Sequence, residues 1–187
     1  NELTGSLWVD YIYLDTDERR RFAQTSHEYL IEQLQFTGDE SFSGNTPKIK
    51  LNFNHPVKEL IWVSNVTAAG GDAQYNPANY GTALSAIRAA AKNPTASAVL
   101  QLNGHDRFAA RNASYFRTCQ PLQAGHKVPT KHIYCYSFAL KPEEHQPSGT
   151  CNFSRIDNAK MIFTTVATGN INIYAVNYNV LRVMSGM

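Results

Sequence analysis

The sequence predicts an all-β sandwich, and three observations carry that reading. Alternating or continuous apolar segments rich in β-branched and aromatic residues recur along the chain, as in Lys48–Phe53 and His132–Leu140. Gly, Pro and Asn clusters separate them. Helix-like stretches do not alternate with these segments as a βαβ fold requires. At 187 residues the chain suits one domain. Eight strands are expected, at 7–14, 28–36, 48–54, 58–64, 99–103, 132–140, 160–166 and 171–183. Two packed four-stranded sheets with two long loops suit a jelly roll, one connectivity among several.

The first segment, Leu7–Leu14, is apolar at odd and even positions alike, Asp10 excepted. Such a strand is expected to be buried on both faces: one on the core, the other on a further domain or subunit. Asp15 with Glu18 resembles a capping box and opens a short helix from Thr16 to about Gln24. Its basic run Arg19–Arg21 reads as a solvated face beyond an acidic first turn. In Lys48–Phe53, Ile49, Leu51 and Phe53 point inward. Asn54-His55-Pro56 is a turn. The excursion Val66–Ala98 contains an Ala-rich helix, Thr82–Lys92, and the second long loop is Asn103–Lys131. Gly169-Asn170 reads as a hairpin turn. A parity switch after Val180 implies a bulge there.

Between strands 132–140 and 160–166 lies the polar stretch Glu143–Asn158, where Pro147 and Gly149 preclude a helix or central strand. It reads as a packed loop. Ser148, Thr150 and Asn152 can satisfy loop backbone groups, and Arg155 with Asp157 can form a local ion pair. These residues are structural candidates.

Composition narrows function. Charged residues make up only 17% and net charge is +2, so nothing argues for nucleic-acid binding. Neutral polar groups must form much of the surface, which suits a surface covered by neighbours. Three cysteines, Cys119, Cys135 and Cys151, do not make a disulfide framework and read as free thiols. No apolar run reaches membrane-spanning length and no signal-peptide pattern opens the chain, so no membrane insertion is expected. Both ends read as cuts in a longer chain.

No catalytic constellation emerges. The nucleophile elbow Gly-x-Ser-x-Gly is missing, and His27, His105, His126 and His145 sit in ordinary polar contexts. His126, His132 and His145 are too scattered for a metal cluster. Glu143 and Glu144 have no facing carboxylate for glycoside hydrolysis. No cofactor, metal or catalytic residue is therefore expected. Sequons occur at Asn65, Asn112 and Asn152, the first two in expected loops, which makes Asn65 and Asn112 weak glycosylation candidates. An alternative function is a β-sandwich carbohydrate-binding module stacking sugars on Tyr75, Tyr80 and Tyr115.

Several stretches are similar to a known family. They are Leu14–Gln24, His27–Gln33, Phe53–Val63, Leu102–Phe108, Tyr136–Leu140, Gln146–Asp157 and Tyr178–Gly186, in the family's order and across nearly the whole chain. Together they resemble the major capsid protein of nucleocytoplasmic large DNA viruses, as in phycodnaviruses, iridoviruses and mimivirus relatives. The resemblance implies a double jelly roll of which this chain is the C-terminal half, the N-terminal jelly roll being absent from it. It further implies homotrimers with pseudo-hexagonal outlines, joined to neighbouring capsomers and minor capsid proteins. They would form an icosahedral shell assembled in the host cytoplasm. The long loops would carry external or inter-subunit contacts.

Overall fold

The computed structural model describes residues 4–43, 46–66, 95–165 and 168–184. The excursion helix at 82–92, Tyr75 and Tyr80 lie outside them. Two units divide the chain, Asn1–Ile31 with Val180–Met187 and Glu32–Asn179.

In the first unit, helix α1 spans Thr16–Gln24. Asp15 caps it by accepting the Glu18 N–H at 2.8 Å, as the spacing predicts. Thr25 closes it, its hydroxyl donating to the Arg21 carbonyl at 2.7 Å. The ring of Phe22 stacks on His27 with centroids 4.8 Å apart. Glu28 forms an ion pair with Arg182. The expected strand 7–14 is not formed: the segment has no regular secondary structure, no ladder partner among the described residues, and exposed side chains. Trp8 is 92% exposed and Ile12 89%. An apolar pattern marks a surface that wants cover, and among the described residues nothing supplies it.

The second unit holds the sandwich. Its strands are β1 (His27–Phe42, entering from the first unit), β2 (Lys48–Lys50), β3 (Pro56–Val66), β4 (Thr95–Leu102) and β5 (His105–Asp106). They continue with β6 (Arg111–Asn112), β7 (Ile133–Ser137), β8 (Cys151–Asn152), β9 (Ala159–Thr165) and β10 (Gly169–Val183). One sheet has the order β1-β10-β3-β7, with β8 also on β3; the other has β2-β9-β4-β5, with β6 also on β4. The main strands thus alternate between sheets along the chain, which is the jelly-roll connectivity.

Several boundaries differ from the sequence reading. β1 runs through Gly38, whose φ of +97° lets the strand continue where a loop is expected. Gly169-Asn170 is not a hairpin turn: both residues pair in register with Val66 and Asn65 on β3. β9 and β10 lie in different sheets, so the chain crosses the sandwich there. The bulge falls at Val176/Asn177 rather than near residue 180. There burial shifts from the odd positions Ile171, Ile173 and Ala175 to the consecutive pair Asn177 and Tyr178.

The core lies between the sheets. Trp62 of β3 is fully buried, with ring centroids 5.1 Å from Phe116, 5.9 Å from Tyr134 and 6.0 Å from Phe163. Ile49, Leu51 and Phe53 point inward as the alternation requires. The Leu51 N–H donates to the Ala159 carbonyl at 2.9 Å and extends the β2–β9 ladder by one bond. Across the core, the Ser64 and Thr95 hydroxyls meet at 3.0 Å, pairing two buried polar groups from opposite sheets.

Candidate functional site

The loop Glu143–Asn158 is stitched to its surroundings at several points. The Ser148 hydroxyl accepts from the Lys141 N–H at 2.9 Å. Asn152 caps a single helical turn, Phe153–Arg155, by accepting the Ser154 N–H at 3.0 Å. The Ser154 hydroxyl in turn accepts from the His55 N–H at 2.8 Å, fixing the turn before β3, where His55 has a φ of +68°. Phe153 is buried against Phe53 and Phe138, with centroids 6.0 Å from each. Gly149 has a φ of +145°, and a Cβ there would lie 2.8 Å from the Phe138 carbonyl oxygen. Pro147 is exposed at the loop's outer side. Arg155 and Asp157 are exposed, and among the ion pairs of the described residues none joins them.

The other candidates are dispersed. Asn65 lies in β3, paired with Asn170, and Asn112 in β6, so neither sits in the expected loop. The Asn112 side-chain Oδ1 accepts from both the N–H and the hydroxyl of Ser114, each at 2.9 Å. Tyr115 is no free stacking platform: its ring contacts Phe116 and carries the Arg111 guanidinium 5.6 Å from its centroid. Glu144 pairs with Lys141 at 3.0 Å.

One cluster escaped the sequence reading. Residues 113–123 are helical, with a wide turn at Tyr115–Cys119 followed by α2 (Gln120–Gln123). Gln120 ties this segment to β7, accepting the Ser137 N–H at 3.2 Å and donating to the Tyr115 hydroxyl at 2.8 Å. Because β7 ends the order of its sheet, the first of these bonds occupies an N–H at an edge. α2 ends in a Schellman motif, with Gly125 at φ +82°. Its two bonds are His126 N–H to the Pro121 carbonyl at 2.9 Å and Gly125 N–H to the Leu122 carbonyl at 3.2 Å.

That turn directs His126 onto two carboxylates. Nε2 lies 2.8 Å from Oε2 of Glu59 on β3, and Nδ1 lies 2.5 Å from Oε1 of Glu143. The Glu59 side chain is only 8% exposed. Burial lowers the His126 pKa, but the hydrogen bonds and charges of Glu143 and Glu59 outweigh it, and the net shift is upward from 6.5. Beside the cluster is a cavity of about 470 Å³ lined by Ile61, Pro121, Pro129, Ile133 and Cys135. Burial, with the Glu59 charge adding to it, pushes the Cys135 thiol up to about 12. All three cysteines are free thiols, as expected. Among the described residues, no group of three or more His, Cys, Asp or Glu side chains is arranged to hold a metal.

The family model described as large eukaryotic DNA virus major capsid protein matches residues 18–187. The chain is 55% identical to a major capsid protein of Pyramimonas orientalis virus, over 98% of its own length and 48% of the relative's. With a major capsid protein of Paramecium bursaria Chlorella virus 1 the identity is 46%, over 98% of this chain and 53% of the relative. A solved chain from a quasi-atomic model of the PBCV-1 virus capsid superposes with a TM-score of 0.74 at 41% identity. That superposition covers 95% of this chain and 54% of the other. The chain thus spans about half the length of the relatives it matches. A sandwich with jelly-roll connectivity and a match to the family over nearly its whole length make this chain a member of the large eukaryotic DNA virus major capsid protein family.

Proposed function

We propose that this chain is one jelly roll, the C-terminal one, of a double-jelly-roll major capsid protein. Its role is structural. The observation that carries the reading is the family match across residues 18–187, borne on strands that alternate between two sheets. The half-length span of the relatives supports assignment to one of two rolls. The uncovered apolar residues Leu7, Trp8, Tyr11, Ile12 and Tyr13 support it further, because such a surface is stable only when another body covers it. The companion roll or a neighbouring subunit is that body.

Function is then assembly. Three copies form a pseudo-hexagonal capsomer, capsomers contact one another and minor capsid proteins, and the shell encloses the genome without direct nucleic-acid contact. Assembly takes place in the host cytoplasm. Low charge keeps repulsion between neighbouring copies small. The full-length protein should elute as a trimer in size exclusion with light scattering. A stable monomer at micromolar concentration would overturn the reading, and selective glycan binding by that monomer would favour the carbohydrate-binding alternative.

A further inference from the structure

We propose that His126 is a pH-gated latch that holds the strap from Gly125 to Thr130 onto the outer face of the β3–β7 sheet and releases it as the solution becomes alkaline. The inference rests on this chain's own geometry and is independent of the capsid reading.

Carboxylate oxygens only accept hydrogen bonds, and both ring nitrogens of His126 face one. Both nitrogens must therefore donate, which requires the imidazolium. Neutral imidazole presents a lone pair on one side, turning one of the contacts into repulsion between acceptors. The contact to Glu59 matters most, because that carboxylate is almost fully buried and loses its partner without gaining water.

Among the described residues, no other cation pairs with Glu59 or Glu143. Glu59 faces His126 from β3, Glu143 from the loop after β7, and Cys135 from β7; Lys127, next along the strap, is exposed. With the imidazolium the cluster is singly negative, and without it doubly negative. Before the latch the chain is anchored independently, by the buried Gln120, Pro121 and Ala124 and by the Ser137 N–H bond to Gln120, so only the stretch from Gly125 onward depends on His126. Lys127 and Val128 are exposed, and between His126 and β7 the strap borders a cavity, not a packed core. Release uncovers Ile61, Ile133 and Cys135.

The sign follows from the direction of the shift. A histidine whose pKa is raised by folding stabilises the closed state fully below 6.5 and loses that contribution as pH rises through the raised value. The latch is therefore closed in mild acid and opens on the alkaline side.

The test is hydrogen–deuterium exchange by mass spectrometry on the full-length protein between pH 6 and 9, corrected for intrinsic rates. Peptides over 125–131 should lose protection progressively as pH rises across that range, the direction that a raised His126 pKa requires. A core peptide over 159–165 should not change. His126→Gln should leave the strap unprotected at both ends of the range. Glu143→Gln should move the opening midpoint to lower pH. Unchanged wild-type protection, or a pH response that survives in His126→Gln, would overturn the proposal. If His126→Gln also exposes the core peptide, Glu143→Gln decides, and an unmoved midpoint overturns it.

Discussion

Gly149 shows how one backbone position can set a loop's course. A side chain there would collide with the Phe138 carbonyl oxygen, which belongs to backbone and cannot rotate away. The positive φ adds strain for any L-residue. Gly149→Ala should therefore destabilise the fold by roughly 2–4 kcal/mol, lowering Tm by about 5–15 °C in calorimetry. A melting curve superimposable on wild type would show that the loop can move. The sequence supported the idea of a packed loop here because Pro147 and Gly149 punctuate a stretch of hydrogen-bonding side chains. It could not pair His126 with Glu59 and Glu143, which lie 67 and 17 positions away. No local spacing links such residues; only the tertiary fold does. The sole sequence trace is Gly125, the left-handed residue that ends α2 and turns His126 back.

At the level of elements, Lys58 ties three adjacent strands together. Its side chain is 4% exposed and runs from β3 past Tyr178 of β10, whose ring centroid lies 5.3 Å from Nζ, to Glu32 of β1 at 2.8 Å. His145 also approaches Glu32, at 3.7 Å. Lys58→Ala should cost about 1–3 kcal/mol by leaving Glu32 without its cation, less than for a fully buried pair because Glu32 is partly exposed. Glu32→Gln in that background should recover part of the loss in urea denaturation, and purely additive losses would exclude coupling. Strand existence was legible wherever one face meets the core, as with Ile49, Leu51 and Phe53. Leu7–Leu14 misled because a run that is apolar on both faces reports a need for cover and not the source of it. The parity switch at Leu181 and Val183 points to a late bulge because it lies on the exposed end of β10, where no core fixes which face turns inward. Gly169-Asn170 misled as a turn signal: both residues are paired within β10, and a local dipeptide cannot say which sheet the chain enters next.

For the whole molecule, the sheet order places β10 between β1 and β3. The two longest strands, β1 and β10, are thereby neighbours although they stand at opposite ends of the sandwich's sequence. Deleting residues 169–187 should abolish cooperative unfolding altogether, because β1 then has no ladder partner in its sheet and Ile171, Ile173 and Ala175 vanish from the core. A truncated protein with a sharp thermal transition would contradict this.

The same placement governs how the protein is made. Synthesis proceeds at roughly 5–20 residues per second, so β1 waits several seconds for the strand that will lie beside it. Until β10 clears the ribosome, β1 and one side of β3 present open edges, and the nascent chain can pair with other nascent chains as readily as with itself. Within this sandwich, the emergence of β10 therefore ends the period in which those edges stand open.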